Sequence, residues 1–167
     1  VTLLADNGLL DTGYASQEYR RILQDLDVNV ETQRVVLRRG QYFSLDPEVE
    51  LTVLYPVEHV NSKYELTQGV DQNNNSVVVK LRTRDYSVLL SGDIDRTAQM
   101  DLVGIHALLL ATEGVGEGWP SSISSKKNGI AERFGINADL LKVPHHGSRE
   151  ALSYSFLGAV SPAQAII

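Results

Sequence analysis

The sequence contains no cysteine, and this absence limits the kinds of site that the chain can build. Disulfide bonds and thiolate zinc sites are excluded, so any metal ion must be held by His, Asp or Asn. Long hydrophobic runs are missing as well, since the longest uninterrupted apolar run is 107–111, far short of the ~20 residues that span a bilayer. No charged and then apolar signal segment opens the chain. We expect the chain, as given, to be soluble.

Positive charge is also scarce, because 15 Lys and Arg residues stand against 21 Asp and Glu residues and give a formal net charge of -6. This balance argues against a broad basic surface of the kind that drives non-specific nucleic-acid binding. If the substrate is a nucleic acid, local charge or a metal ion must attract it. The length of 167 residues and the hydrophobic content of 43% suit one globular domain.

Both ends of the sequence look like cut ends of something longer. The chain opens without Met in the apolar stretch 1–4 and closes on 165–167, which is typical of a strand still in progress. We interpret 1–167 as one incomplete domain.

The periodicity predicts both strands and helices. An amphipathic helix follows Ser16, with Tyr19, Ile22, Leu23 and Leu26 on one face, and Asp95 caps a second helix that runs to about Val103. A third helix is predicted at 151–157, and a polar loop at 57–75. Residues 113–127 read as a flexible surface insertion, and 144–148 as a loop. The predicted strands are 34–39, 41–45 and 49–55 as a meander, then 76–82, 86–90, 108–110, 138–143 and 163–167. This order predicts an α/β or α+β fold with helix-covered sheets.

Two stretches carry the most chemical information, namely 87–93 (SVLLSGD) and 140–148 (LLKVPHHGS). Each is a buried type of strand that ends abruptly in residues able to bind metal ions, and sheet ends are where open α/β folds place their sites. Asp93 has two oxygens with which to bridge two cations, and either His145 or His146 is a candidate imidazole ligand. The structural alternative is that Gly-Asp forms only a turn and that the histidine pair lies in a surface loop.

Four further residues are candidates for substrate binding: Ser148, Asn75, Lys80 and Arg82. Lys80, Arg82 and Arg84 recur with period two, so they share one strand face and are placed to touch phosphates, although an ordinary solvated face gives the same pattern. Ser148 lacks a Gly-x-Ser-x-Gly elbow, so its hydroxyl suits a loop or a helix cap better than a nucleophile.

The order and spacing of these motifs resemble the metallo-β-lactamase domain of ComEC-like DNA-uptake competence proteins. The resemblance rests on 89–94 (LLSGDI), 141–148 (LKVPHHGS), Phe156-Leu, Ser161-Pro and 165–167, and it extends back to 53–56 (VLYP) and 73–79 (NNNSVVV). It covers roughly residues 50–167.

This resemblance implies a four-layer αβ/βα sandwich, of which 1–167 is the C-terminal part, and two divalent metal ions, Zn or Mn. They share a water or hydroxide that attacks a phosphodiester or similar ester. Asp93 matches the bridging carboxylate, and His146 is favoured over His145 as the ligand of the second metal, with His145 as a further ligand or as its neighbour. Many members carry a His where this sequence has 73–75 (NNN).

The family's His-x-(His or Asp)-x-Asp-His cluster does not occur in these residues, and His59 and His106 stand alone. We attribute this gap to a missing N-terminal half of the domain.

The resemblance then implies a bacterial phosphodiesterase or nuclease related to DNA uptake, exported or attached to a membrane protein. Its expected partners are single-stranded or double-stranded DNA, a membrane channel domain of the same full-length protein, and the missing half. The alternatives are another esterase of the same fold, such as a choline-phosphate esterase, and a non-catalytic binding module that has lost its metal site.

Overall fold

The structure is a computed structural model that describes residues 2–7, 17–19, 21–22, 24–25, 32–57, 73–113, 129–148 and 151–167. Its strands are β1 (Thr2–Asp6), β2 (Thr32–Val36), β3 (Tyr42–Asp46), β4 (Val49–Tyr55), β5 (Val78–Arg82), β6 (Ser87–Leu90), β7 (Leu140–Lys142) and β8 (Gln164–Ile166). Its helices are α1 (Arg96–Glu113), α2 (Ile130–Phe134) and α3 (Tyr154–Val160), with the 3₁₀ helix η1 (Asn73–Asn75). Residues Pro144–Gly147 form a turn in which His145 and His146 have non-helical φ and ψ. The described residues between 17 and 25 are also helical. The mixed α/β class is therefore confirmed.

The main sheet has six strands in the order β3-β4-β5-β6-β7-β8. Strands β3 to β6 pair antiparallel, whereas β6, β7 and β8 pair parallel to one another. Parallel neighbours end at the same edge of a sheet, so the loops that leave β6 and β7 must lie side by side. This change from antiparallel to parallel pairing positions the candidate site.

A second, two-stranded sheet is formed by β1 and β2, which pair parallel. The prediction that 34–39 opens the meander is therefore wrong, because these residues overlap β2 and β2 pairs with β1. An alternating pattern indicates a strand but carries no information about its partner. The side-chain amide of Asn7 donates to the backbone oxygen of Asn75 at 2.8 Å and links this small sheet to η1.

The core lies between the sheet and helices α1 and α3. Its buried side chains come from the strands (Leu54, Val78, Leu89 and Leu141) and from the helices (Ala98, Leu102, Phe156 and Val160). Full burial of one such large side chain stabilises the fold by about 1.5–3 kcal/mol. On β4 the consecutive residues Val53 and Leu54 are both buried, so this part of the strand is covered on both faces.

Helix α1 begins where the sequence predicts, since the backbone N–H of Thr97 donates to Oδ1 of Asp95 at 2.8 Å. Its predicted end near Val103 is wrong, because the helix continues to Glu113 and includes the predicted buried strand 108–110. Leu108 and Leu110 are 64% and 53% exposed. A short apolar run does not distinguish a strand from a helix segment, and Gly104 did not end the helix.

Helix α3 spans Tyr154–Val160 rather than 151–157, and α2 was not predicted. The side chain of Ser153 caps α3 by accepting from the backbone N–H of Phe156 at 3.2 Å. The other predicted strands are confirmed to within a few residues, and 49–55 matches β4 at both ends. Most of the predicted loop 57–75 and of the insertion 113–127 lies outside the described residues. Within the described part of the chain, no helix has both the length and the apolar character needed to cross a membrane.

Candidate functional site

Two loops meet at the carboxyl ends of β6 and β7. In the parallel register Leu89 is opposite Leu141 and Leu90 is opposite Lys142, so both strands end at the same level. The first loop continues to Asp93 and the second to the histidine pair. Nε2 of His146 lies 3.5 Å from Oδ2 of Asp93. The structure thus brings together two of the residues that the sequence singled out.

The turn before Asp93 requires glycine. Gly92 has a φ of 59°, and a Cβ added there would lie 2.8 Å from Cβ of Ser76. The close approach lets the backbone N–H of Asp93 donate to Oγ of Ser76 at 3.2 Å. Backbone geometry and the Ser76 hydroxyl therefore fix where the Asp93 carboxylate leaves the sheet.

The loop that carries His145 and His146, called the histidine loop below, has an uncommon backbone. His145 and His146 have φ values of 48° and 53°, and Gly147 follows with 69°. Non-glycine residues adopt this left-handed region rarely, and such conformations often occur at functional sites. The loop is held by two backbone hydrogen bonds, from His145 N–H to the oxygen of Gly92 (3.2 Å) and from Ser148 N–H to the oxygen of His145 (3.0 Å).

The residues alone did not show which of His145 and His146 is the candidate imidazole ligand. In the described part of the chain, the imidazole that comes within 4.0 Å of Asp93 is that of His146. The side chain of His146 is 74% exposed and that of Asp93 is 39% exposed, so both are accessible from solvent. The geometry favours His146 as the partner of Asp93.

Lys142 is a third member of the site, and sequence reasoning missed it. Its Nζ donates to the backbone oxygens of Gly92 (3.3 Å) and Val143 (3.2 Å) and lies 3.9 Å from Oδ1 of Asp93. The hydroxyl of Ser91 donates to the backbone oxygen of Lys142 at 2.6 Å. A signal was present in the sequence, namely a single lysine at the end of an otherwise apolar strand, LLKVP.

The asparagine-rich segment η1 supports the neighbouring residue Asp95. The amide of Asn74 donates to Oδ2 of Asp95 at 2.5 Å, and its oxygen accepts from the backbone N–H of Asp95 at 3.3 Å. Asn75, a predicted substrate contact, is only 7% exposed, so it has little surface to offer a substrate. The exposed Ser148 ends the histidine loop, and its role as a substrate contact stays a prediction.

Lys80 lies in the interior, so the prediction that it binds substrate is wrong. The residue is 2% exposed, and its Nζ donates to the backbone oxygens of Glu132 (2.8 Å) and Gly135 (3.2 Å) and to Oδ1 of Asn137 (3.5 Å). Burial, with a smaller effect of Arg82, lowers the pKa of Lys80 to about 8. The period-two pattern correctly placed Lys80 and Arg82 on one face but did not show that α2 covers it.

Arg82 is engaged by carboxylates on this same face. Its guanidinium binds Glu50 at 2.8 Å and Glu132 at 2.7 Å. Glu50 also binds Arg133 at 3.0 Å, and these cations hold the pKa of Glu50 below its usual value, with the hydrogen bond from Arg82 contributing most. The open groove of about 420 Å³ beside them is lined by Pro47, Glu48, Glu50, Arg82, Thr83, Arg84 and Glu132. Three carboxylates against two guanidiniums make this groove a poor phosphate site.

Of the two remaining histidines, only His106 lies in the described part of the chain, and it does not extend the site. His59 lies outside the described residues. His106 is buried on α1, and burial together with the charge of Lys80 lowers its pKa. No group of three or more His, Asp or Glu side chains placed to hold a metal ion occurs in the described segments. In these segments, Asp93 and His146 are thus a pair and not part of a larger group of such side chains.

The chain matches no protein-family model and no curated protein sequence.

Proposed function

We propose that this chain supplies part of the active site of a metal-dependent hydrolase that cleaves phosphodiesters, most specifically a nuclease of the DNA-uptake type. The observation that carries the proposal is the meeting of Asp93 and His146, 3.5 Å apart, at the ends of two adjacent parallel strands. The left-handed backbone at both histidines supports it, because the fold maintains an unfavourable conformation there.

The finer fold assignment is part of the same proposal. A metallo-β-lactamase-like sandwich has two central sheets, each covered by helices on its outer side. The six-stranded sheet with α1 and α3 packed against it would be one of these sheet and helix pairs. The motifs at 89–94 and 141–148 contain the ends of β6 and β7, which lie at one edge of this sheet, and this arrangement supports the proposal.

Asp93 and His146 are of the residue types that bind a divalent metal ion, but two side chains are too few ligands for a complete site. A carboxylate and an imidazole are ordinary ligands of zinc, and both side chains are exposed. Catalytic zinc sites take three protein ligands, so at least one more ligand must come from outside the described residues. A bound divalent cation would supply Lewis acidity and neutralise charge on a phosphoryl oxygen. Asp93 and His146 would hold it, while Ser76, Gly92 and Lys142 fix their loops.

A second candidate function is a non-catalytic binding module of the same fold. The shortage of ligands among the described residues favours it. A third reading, an esterase for another phosphorylated substrate, shares the same ligands and differs only in the substrate groove. Rates on DNA and on small phosphodiesters separate the two enzymatic readings.

The test uses the protein in its full natural length, loaded with Mn²⁺ or Zn²⁺, and measures hydrolysis of a labelled oligonucleotide. Asp93→Asn and His146→Asn should lose hydrolysis about 100-fold or more, whereas His145→Asn should lose much less. Asparagine is chosen because it tolerates the left-handed backbone of this loop. Circular dichroism should show that all three variants fold. Wild-type rates in both Asp93→Asn and His146→Asn, or no metal-dependent hydrolysis by the wild type, would refute the enzymatic proposal.

A further inference from the structure

The ammonium of Lys142 and the imidazole of His146 lie beside opposite oxygens of one carboxylate. Nζ of Lys142 is 3.9 Å from Oδ1 of Asp93, and Nε2 of His146 is 3.5 Å from Oδ2. The side chain of Lys142 is 27% exposed, so part of it is accessible from solvent, as are the side chains of Asp93 and His146. A positive charge is therefore fixed at the edge of the candidate site.

The hydrogen bonds of Lys142 determine how many of its ammonium protons remain for a further acceptor. An ammonium carries three protons, and the backbone oxygens of Gly92 and Val143 accept two of them. Asp93 competes only weakly for the third, because 3.9 Å is longer than a hydrogen bond. One proton of a positioned cation thus remains for an acceptor that enters the site.

The three cations Lys80, Arg82 and Arg84 do not serve this purpose. Lys80 is buried under α2, and Arg82 is held between Glu50 and Glu132. Arg84 lies before β6, whereas Asp93 follows it, so the two are at opposite ends of this strand. Among the Lys and Arg side chains that the structure describes, that of Lys142 comes within 4.0 Å of Asp93. In a chain of net charge -6, a phosphate needs such a local cation.

We propose that Lys142 is a substrate-binding residue whose ammonium donates a hydrogen bond to a charged, non-bridging oxygen of a phosphodiester. It thereby selects anionic phosphodiesters over neutral esters at this site. The inference rests on the proposed hydrolase function for its catalytic consequence, but the binding of phosphate by Lys142 is measurable without catalysis. Lysine suits this role as a compact point charge.

The first measurement is the binding of a fluorescent single-stranded oligonucleotide to the full-length protein in EDTA, by fluorescence anisotropy at several salt concentrations. Lys142→Met should weaken binding about 10-fold or more and lower the slope of log K against log salt by about 0.7. Lys142→Arg keeps the charge and should restore most of the affinity. Arg84→Gln is the matched control, because it removes an equal charge from an 80% exposed side chain at the other end of β6.

The second measurement compares two substrates of the metal-loaded protein, anionic bis(4-nitrophenyl) phosphate and neutral 4-nitrophenyl acetate. Lys142→Met should raise KM for the phosphodiester about 10-fold and leave KM for the acetate unchanged. A similar loss on both substrates would overturn the proposal and leave Lys142 as a structural tie between the loops. Unchanged oligonucleotide binding in Lys142→Met, or no binding by the wild type, would also overturn it. If the wild type binds through Lys142 but hydrolyses neither substrate, the hydrolase proposal fails and the phosphate site stands.

Discussion

Gly92 and Ser76 approach so closely that a single methyl group on Gly92 would lie 2.8 Å from Cβ of Ser76. The contact joins the loop after β6 to the segment before β5, and the Ser76 hydroxyl accepts from the backbone of Asp93 in the same place. The direction of the Asp93 carboxylate therefore depends on the absence of a side chain at the preceding residue.

Gly92→Ala should destabilise the protein and lower any activity that depends on Asp93. The expected loss in the free energy of unfolding is about 1–3 kcal/mol, because both left-handed strain and a steric clash are introduced. Gly40→Ala is the matched control, since Gly40 also has a positive φ, of 91°, but open space around its added Cβ. Urea denaturation of the two variants measures the difference. Equal losses would show that the Ser76 contact has no energetic consequence.

Lys80 should make the stability of the protein depend on alkaline pH. Its pKa is about 8 in the folded state, against an ordinary value of 10.5, so the unfolded chain binds more protons between these values. The contribution of Lys80 to the free energy of unfolding is therefore fully present above about pH 10.5 and is lost as the pH falls through about 8. From pH 7.5 to 10, the free energy of unfolding of the wild type relative to Lys80→Met should rise by roughly 1–3 kcal/mol. A constant difference between the two proteins would contradict this account of the buried lysine.

His106 should contribute a pH dependence of the same sign as that of Lys80, but in the acidic range. Burial, and to a lesser extent the charge of Lys80, lower the pKa of His106 below its ordinary value of 6.5. Its contribution to stability is present above about pH 6.5 and is lost as the pH falls towards the lowered pKa. Its Nδ1 is buried without a hydrogen-bond partner among the described residues. His106→Leu should change stability at pH 7 by less than about 1 kcal/mol, and should lose less stability than the wild type when urea denaturation is repeated at pH 5. A larger loss of stability at pH 5 in His106→Leu than in the wild type would refute this account of His106.

Much of the candidate site was predictable because it depends on strand ends. A buried strand followed by Gly92-Asp93 and another followed by the histidine pair gave both loops, and parallel pairing placed them together. The choice between His145 and His146 was not predictable from the residues alone, because it depends on consecutive left-handed backbone conformations. Lys80 was misplaced because its cover, α2, spans only Ile130–Phe134, too short for a periodic signal. The end of α1 was missed because its last turns are apolar and exposed, a pattern that does not indicate an amphipathic helix.

The most direct test of the central claim is the zinc coordination of the full-length protein, measured by X-ray absorption spectroscopy. The wild type should bind zinc with imidazole ligands, His146→Asn should have one imidazole fewer per site, and His145→Asn should keep the wild-type number. Asp93→Asn should bind zinc more weakly at unchanged secondary structure. Absence of bound zinc in the wild type, or an unchanged imidazole number in His146→Asn, would contradict the assignment of Asp93 and His146 as metal ligands.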